Sequence, residues 1–193
     1  MTRIIAGRAK GHVVRTPAGS ATRPTTDRVR EAVFSQLADW AGTLSGPADE
    51  QLRDIGFLDL YAGSGAVALE ASSRGAAPVW AVESDRGTAR LVRDNAAAVR
   101  LEVTVRAARV EQFLAAGPAR RFDVIWADPP YALTGEQLAL VLAAALDWLA
   151  PDGLVVVERS TRDLPPVWPA QLSWSWHRRY GETTLYFARR APE

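Results

Sequence analysis

The stretch FLDLYAGSGAVALEA (57–71) joins a short apolar run, a Gly-x-Gly turn and a run of helix-forming residues. This pattern predicts a β-strand, a tight turn and an α-helix, the first unit of a parallel α/β sheet. Gly63 and Gly65 let the backbone turn sharply and let a ligand approach the main chain closely. Ligands of such sheets bind beyond the carboxyl ends of the strands. The turn is therefore the first candidate for a binding site.

The chain after this unit repeats the alternation of apolar runs with helical patterns. Strands are predicted at 55–62, 78–84, 102–107, 122–127 and 153–160, and helices at 65–75, 86–100, 110–117 and 135–150. Two alternating runs around Tyr180-Gly181 predict an antiparallel hairpin within 171–190. The fold class is therefore α/β: a Rossmann-like, seven-stranded, mostly parallel sheet that ends in an antiparallel C-terminal hairpin.

The amino-terminal part has a different pattern. Residues 2–16 place β-branched pairs around a glycine-rich centre, which predicts a small β-hairpin. Thr25 or Thr26 can cap a helix that runs to about Trp40. We divide the chain into a basic hairpin and loop, 1–24, and an α/β domain, 25–193.

Composition narrows the class of protein. The 193 residues include no cysteine and no apolar run of about 18 residues, so we expect neither disulfides nor a membrane span. The first residues lack an apolar signal core, which favours a cytoplasmic protein. His12 and His177 are the only histidines and have no ligand cluster around them, so no metal site is expected. A monomer is the default expectation.

Charge is distributed unevenly. The net charge is +1, but residues 1–30 carry seven cations and a single acid, a net +6. A basic arm on an acidic body indicates an anionic partner such as nucleic acid, although a solvated arm has the same composition. The candidate phosphate contacts are Arg3, Arg8, Lys10, Arg15, Arg23, Arg28 and Arg30.

Glu83 ends the second strand of the α/β part, twenty residues after Gly63. A carboxylate at this point can accept hydrogen bonds from both ribose hydroxyls, so the pair indicates an adenosine-containing cofactor. The turn also fits a G-x-G-x-x-A dinucleotide pattern, which leaves NAD and S-adenosylmethionine open. Asp59 favours the methyl donor, because a carboxylate there could hold the cationic methionine end.

The stretch DPPY (128–131) follows the strand at 122–127 and so lies at the same sheet edge. An exocyclic amine on a nucleobase is a poor nucleophile, and a site that methylates it needs an acceptor for each N–H. Asp128 offers a carboxylate and Pro129 a carbonyl, whose direction the two prolines fix. Tyr131 offers a face on which a flipped-out base can stack.

The chain resembles the class I methyltransferases that act on planar nitrogen and, more narrowly, the RsmD family of bacterial 16S rRNA guanine-N2 methyltransferases. The resemblance is carried by RIIAGRAKGHVVRTPAG (3–19), TRPTTDRVREAVFSQL (22–37), FLDLYAGSGAVALEASSRGA (57–76), DPPY (128–131) and YGETTLYF (180–187). The TRPTTDRVREAVF block is much more specific than DPPY, which several amine methyltransferases share.

The resemblance implies S-adenosylmethionine as donor and a guanine N2 of 16S rRNA, in the small ribosomal subunit or its assembly intermediate, as substrate. It assigns the guanine to Asp128, Pro129, Pro130 and Tyr131. It assigns the cofactor to Asp59, Tyr61, Ala62, Gly63, Ser64, Gly65, Glu83, Ser84, Arg109 and Val110. The hairpin and the TRPT loop, which includes Thr25, are assigned to RNA docking.

One departure from the family pattern concerns the adenine of the cofactor. Many relatives place Asn or Asp before Ala after the third strand, whereas this chain has Arg109 and Val110. We expect backbone groups there, or Glu111, to contact the adenine. DPPY also leaves other planar amines open as substrates, namely adenine N6 of RNA or DNA and a protein glutamine amide. A nucleotide-binding module or an NAD enzyme is the alternative of a different class.

Overall fold

A computed structural model describes residues 2–17 and 26–191 of the chain. Its strands are β1 (Thr2–Arg3), β2 (Val13–Val14), β3 (Phe57–Leu60), β4 (Val79–Glu83), β5 (Thr104–Ala107), β6 (Phe122–Ala127), β7 (Leu149–Ser160), β8 (Trp174–Tyr180) and β9 (Thr183–Arg189). Its helices are α1 (Asp27–Trp40), α2 (Ala66–Ser73), α3 (Arg86–Ala98), α4 (Val110–Ala115) and α5 (Gly135–Ala145), and a 3₁₀ turn at Leu146–Trp148 follows α5.

Seven strands form one sheet in the order β5-β4-β3-β6-β7-β9-β8. The pairs among β3 to β7 are parallel, and β9 pairs antiparallel with both β7 and β8. The predicted fold class is confirmed, including the antiparallel hairpin at one end. The winding reverses between β3 and β6, where a crevice opens at the carboxyl ends of the strands.

Helices cover both faces of the sheet. On one face, Val33 and Phe34 of α1 join residues of α2 and α3 in a buried core. On the other face, the ring of Phe113 of α4 packs at a tilt of 32° against Trp148 with ring centroids 4.3 Å apart, and the Trp148 Nε1–H donates to the Leu114 carbonyl at 3.1 Å. The central strands β3 and β6 are therefore buried on both faces, as their continuous apolar runs require, whereas the edge strand β5 is largely exposed.

The junction between α5 and β7 differs from the prediction. The helix expected to reach residue 150 ends at Ala145, and the strand expected from 153 begins at Leu149. Leu149 pairs with Phe122 across a register shift in β6, so the chain enters the sheet early. The apolar pattern of 146–149 fits a helix and a buried strand equally well, which is why periodicity alone misplaced the boundary.

The amino-terminal hairpin is β1 paired antiparallel with β2, with Thr2 opposite Val14. Ile4, Ala9 and Val14 share a small buried core with Leu69 of α2 and with residues of and after α3. The fully buried Glu70 accepts hydrogen bonds from the N–H groups of Ile5 and Ala6 at 2.7 and 3.0 Å. The hairpin is thus fastened to the body rather than projecting from it.

Within residues 2–17 and 26–191, no helix has both the length and the apolar character needed to cross a bilayer.

Candidate active site

Five parallel strands end at one edge of the sheet, and the candidate residues follow them there. Leu60 of β3 lies beside Val82 of β4 and Ala127 of β6, so the segments that follow these strands are neighbours. Along the edge the order is the start of α4, Glu83, the glycine turn, DPPY and the end of β7. The glycine turn and DPPY therefore flank the switch between β3 and β6, the expected ligand position.

The two glycines of the turn serve different purposes. Gly65 begins α2 with a φ of 78°, and a Cβ there would lie 2.6 Å from Cγ1 of Val92. Gly63 has a φ of 54°, and a Cβ there would meet no atom of the described residues within 4 Å. Gly65 is therefore required for packing α2 on α3, whereas Gly63 borders open space that a ligand can enter.

Asp59 lies within β3, beneath the turn, and is 1% exposed. Its Oδ2 accepts a hydrogen bond from the Ala68 N–H in the first turn of α2 at 3.1 Å, while Oδ1 has no partner among the described residues. Burial raises the pKa of the Asp59 carboxyl to about 8; the Ala68 bond opposes the rise and the charge of Glu83 adds to it. The carboxyl is thus buried and retains one unused acceptor.

Glu83 holds the turn in place as well as lying at the predicted ribose position. Its Oε2 accepts a hydrogen bond from the Gly63 N–H at 2.9 Å, and its Oε1 accepts one from the Asp85 N–H at 2.8 Å. The hydroxyl of the exposed Ser84 donates to Oε1 at 3.3 Å. A ribose at this position would share a carboxylate that is already oriented by the backbone.

The remaining predicted cofactor residues surround the same turn. Tyr61 adopts a φ of 65°, and burial raises the pKa of its hydroxyl. Ala62 donates its N–H to Val82, and Ser64 accepts a hydrogen bond from the Asn95 side chain. Arg109 precedes α4 with its side chain exposed and paired to Glu111 at 3.6 Å, and Val110 is buried. An adenine contact through the backbone of Arg109 and Val110, or through Glu111, stays a prediction.

The DPPY residues follow β6 and reach the surface at Pro130 and Tyr131. Asp128 is half-buried, Pro129 is buried, and Tyr131 is 67% exposed. The Leu133 N–H donates to the Pro130 carbonyl at 2.9 Å, which closes the segment into a turn before α5. A broad aromatic face therefore stands at the mouth of the crevice next to a carboxylate.

A cavity of about 270 Å³ opens beside DPPY. Asp128, Pro129 and Tyr131 form one wall, and the end of β7 and the β8–β9 turn form the others. The lining residues outside DPPY are Glu158, Arg159, Ser160, Arg162, Asp163, Glu182 and Thr183. The size and polar lining suit a single planar group with several hydrogen-bonding atoms.

Comparison with known proteins assigns this chain to a family. A family model described as "Conserved hypothetical protein 95" matches residues 2–189. The ribosomal RNA small subunit methyltransferase D of Escherichia coli K12 is 33% identical over 177 residues, which cover 91% of this chain and 82% of the relative. The chain belongs to the RsmD family.

Solved structures agree with this placement in the RsmD family. A hypothetical protein of Thermus thermophilus is 33% identical and superposes with a TM-score of 0.80 over 98% of this chain and 99% of that one. The Escherichia coli protein yhhF is 29% identical, with a TM-score of 0.78 over 98% of both chains. These likenesses extend through the amino-terminal hairpin as well as the α/β part.

The arginines predicted to contact RNA fall into three groups. Arg3, Arg8, Lys10 and Arg15 are exposed on or beside the hairpin, and Arg28 is exposed on α1. Arg23 and Thr25 lie outside the described residues. Arg30 is wholly buried, where its Nη2 donates to the Arg3 carbonyl and to Asp27 at 2.8 Å. The prediction of a phosphate contact is wrong for Arg30, because this guanidinium joins α1 to the hairpin instead.

Sequence reasoning missed the wall of the cavity that faces DPPY. Glu158, Arg159 and Ser160 end β7, the strand that neighbours β6. Glu83 and Asp128 were located by the rule that parallel strands end at one edge of the sheet. The same rule applies to the residues that end β7. Among the residues that the structure describes, no group of His, Cys, Asp or Glu side chains is arranged to hold a metal ion.

Proposed function

We propose that this protein transfers a methyl group from S-adenosylmethionine to the N2 atom of a guanine in 16S rRNA. One observation supports the proposal most strongly. In this member of the RsmD family, DPPY and the glycine turn lie side by side where the sheet reverses its winding between β3 and β6. The Escherichia coli relative that is 33% identical is named a ribosomal RNA small subunit methyltransferase.

The residues present fit the proposed cofactor. Gly63 borders open space where a Cβ would stand, and the buried Oδ1 of Asp59 has no partner in the described part of the chain. We assign the methionine ammonium group to Asp59 and the ribose hydroxyls to Glu83. When bound, the cofactor supplies a methyl group on a positively charged sulfur. Tyr61, Ala62, Ser64, Gly65, Ser84, Arg109 and Val110 complete the proposed cofactor set.

The reaction itself is assigned to DPPY. The guanine enters the cavity of about 270 Å³ and stacks on Tyr131. Asp128 and the Pro129 carbonyl each accept one N–H of the amine, which turns its lone pair toward the donor. As the N–C bond forms, the C–S bond breaks and the charge passes from sulfur to nitrogen. Asp128 then receives or relays the proton, since a carboxylate is too weak a base to remove it beforehand.

The substrate is proposed to be RNA inside the small ribosomal subunit or an assembly intermediate. Arg3, Arg8, Lys10, Arg15 and Arg28 present cations around the hairpin and the start of α1, and Arg23 and Thr25 extend this set along the sequence. Residues 1–24 are thus assigned to RNA docking and residues 25–193 to catalysis. We propose a monomer that acts in the cytoplasm without a metal ion.

Mass spectrometry of nucleosides from small-subunit RNA tests the proposal directly. In a strain that lacks the gene, we expect one N2-methylguanosine to disappear, and expression of this chain should restore it. An unchanged N2-methylguanosine content would overturn the proposal. Loss of an N6-methyladenosine from the RNA instead would keep the chemistry and change the substrate, as would loss of a methylated glutamine in a parallel analysis of peptides. Calorimetry that detects NAD binding and no S-adenosylmethionine binding would remove the transfer reaction altogether.

A further inference from the structure

The carboxy-terminal segment 159–190 is a second basic part of the chain. It carries six arginines and two acids, whereas residues 31–158 carry ten arginines and eighteen acids. Its arginines are Arg159, Arg162, Arg178, Arg179, Arg189 and Arg190. Outside the amino-terminal arm, segment 159–190 therefore has a net charge of +4, and the body between the two basic parts has a net charge of −8.

The position of β8 brings this charge to the proposed active site. β8 is the last strand of the sheet, and it is parallel to β7 because each of them pairs antiparallel with β9. Its carboxyl end therefore lies at the same edge as DPPY. The turn that follows contributes Glu182 and Thr183 to the cavity, and Arg178 and Arg179 stand exposed just before that turn.

The charges of Arg178 and Arg179 are not neutralised within the described residues. Arg178 donates to the His177 carbonyl at 3.2 Å and Arg179 to the Gly181 carbonyl at 3.2 Å, and neither forms an ion pair there. Arg159 differs, because it pairs with Asp163 at 3.0 Å and its side chain is only 9% exposed. Arg178 and Arg179 project from opposite faces of β8, and each guanidinium group keeps donors available for an anion close to the turn that borders the cavity.

An aromatic group extends the surface along β8. Trp174 is 49% exposed, and the Arg189 guanidinium lies 5.2 Å from its ring centroid. Trp174 and Arg178 are four residues apart on one strand and so project from the same face. Exposed aromatic rings interleaved with arginine are suited to nucleic acid, which offers phosphates to the cations and base faces to the rings.

We infer that β8 and the β8–β9 turn form a second RNA-binding surface that contacts phosphates beside the target guanine. The inference rests on the proposed function. The amino-terminal hairpin packs on α2 and α3 toward the β4–β5 side of the sheet, and β8 lies at the other end. RNA that crosses the strand ends would be held on both sides of the cavity. Contacts on both sides offset the cost of unstacking the base between them.

Edge-strand protection is the competing explanation for these arginines. Charged side chains on an outermost strand discourage pairing with another chain, and that role requires no RNA. Only the RNA-binding explanation requires the arginines to lie at the sheet edge that carries DPPY. Arg120 and Arg121 are also an exposed adjacent pair, but they directly precede β6 and so lie at the opposite, amino edge of the parallel strands. They provide a matched control.

The test compares Arg178→Gln/Arg179→Gln with Arg120→Gln/Arg121→Gln. The probe is the small ribosomal subunit from the deletion strain, and binding is measured at several salt concentrations. We expect the first pair to weaken binding on the order of tenfold and to reduce the slope of log K against log salt by about 1.4, the value for two phosphates on single-stranded RNA. The control pair should change neither value appreciably. Arg178→Lys/Arg179→Lys should restore the slope, because it keeps the charge.

Equal effects of the two glutamine pairs, or an unchanged slope for Arg178→Gln/Arg179→Gln, would overturn the inference. Cofactor affinity and melting temperature, measured on each variant, show that the fold is intact. Failure of the proposed function gives a different result. If the wild-type protein binds the subunit but transfers no methyl group, the reaction is wrong, and the binding comparison still decides whether β8 contacts RNA. If the wild-type protein does not bind the subunit, the second surface is rejected as well.

Discussion

The proposed contact between Asp59 and the ammonium group of the cofactor predicts that cofactor binding depends on pH. Burial raises the pKa of its carboxyl to about 8, so the group is mostly protonated at pH 7 before a ligand arrives. A cationic ammonium group beside Oδ1 lowers that pKa, and binding therefore releases a proton. It follows that cofactor affinity should increase as the pH rises from 6 toward 7.5.

Calorimetry at pH 7 in two buffers with different ionisation enthalpies measures this release. We expect different binding enthalpies in the two buffers for the wild-type protein and equal enthalpies for Asp59→Asn, which has no proton to lose. Equal enthalpies for the wild-type protein would mean that the carboxyl of Asp59 does not meet the ammonium group.

Asp128 is expected to affect transfer and not cofactor binding. The Asp128→Asn variant keeps the shape of the side chain but replaces one acceptor oxygen with a donor, which opposes an amine N–H. The loss of an oriented polar group at a reacting centre costs about 10²–10³ in kcat. Single-turnover methyl transfer should fall by at least this factor, while the calorimetric affinity for S-adenosylmethionine stays within a few-fold. A variant that transfers at the normal rate would remove Asp128 from the mechanism.

Arg28 and Arg30 show where prediction from sequence ends at this scale. Both were assigned to RNA because they belong to the basic amino-terminal part and lie at the start of a helix. Arg28 is exposed, but Arg30 faces inward to the Arg3 carbonyl and Asp27. Arginine is rarely buried without partners, and of the two partners of Arg30 the Arg3 carbonyl arrives only when the hairpin docks, whereas Asp27 lies on the same helix. The position of Asp128 and Glu83 at the same sheet edge could be predicted from the strands that precede them, whereas the burial of Asp59 and Arg30 depends on tertiary packing.

At the scale of elements, the β3–turn–α2 unit predicts opposite behaviour for its two glycines. Gly63→Ala should reduce the free energy of unfolding by about 1 kcal/mol, the penalty of a left-handed conformation with a Cβ. It should also strongly reduce the affinity for S-adenosylmethionine, because the new methyl group enters the open space beside the turn. Gly65→Ala pays the same penalty and also forces Val92 aside, so it should lose about 2 kcal/mol or more. Thermal unfolding and calorimetry on both variants separate the two effects. Equal stability of the two variants would contradict this division of roles.

The docking of the amino-terminal hairpin is tested by another pair of glycines. Gly7 and Gly11 have φ values of 79° and 85°, so alanine is strained equally at both. A Cβ at Gly7 would lie 1.9 Å from the Ser73 carbonyl oxygen of α2, whereas one at Gly11 meets nothing within 4 Å in the described part of the chain. Gly7→Ala should therefore displace the hairpin and reduce RNA affinity several-fold more than Gly11→Ala. Proteolysis of the hairpin and subunit binding are the measurements; equal RNA affinity of the two variants would argue against a role for the docked hairpin.

The elements themselves were largely predictable. The strand at Phe122–Ala127 was predicted to the residue, because an acid and two prolines end its apolar run sharply. The junction at 146–149 was not, since no proline or glycine separates α5 from β7 until Pro151. The parallel sheet followed from the alternation of strands and helices. The order of its strands, including the neighbour relation of β6 and β7 that forms the cavity wall at Glu158, came from the structure alone.

For the whole molecule, the uneven charge predicts a steep salt dependence that is specific to RNA. A net charge of +1 attracts RNA only weakly. We therefore expect RNA binding to depend on the cations of the two basic parts, because the acidic body between them repels phosphate. Each phosphate neutralised on single-stranded RNA contributes about −0.7 to the slope of log K against log salt. Four contacts would give a slope of about −3 between 50 and 200 mM salt by the same relation. The affinity for S-adenosylmethionine, measured over the same range, should change far less, because that site depends on buried hydrogen bonds. A flat salt dependence for the small subunit would mean that the arginines of both parts are solvated and that RNA is held by other contacts.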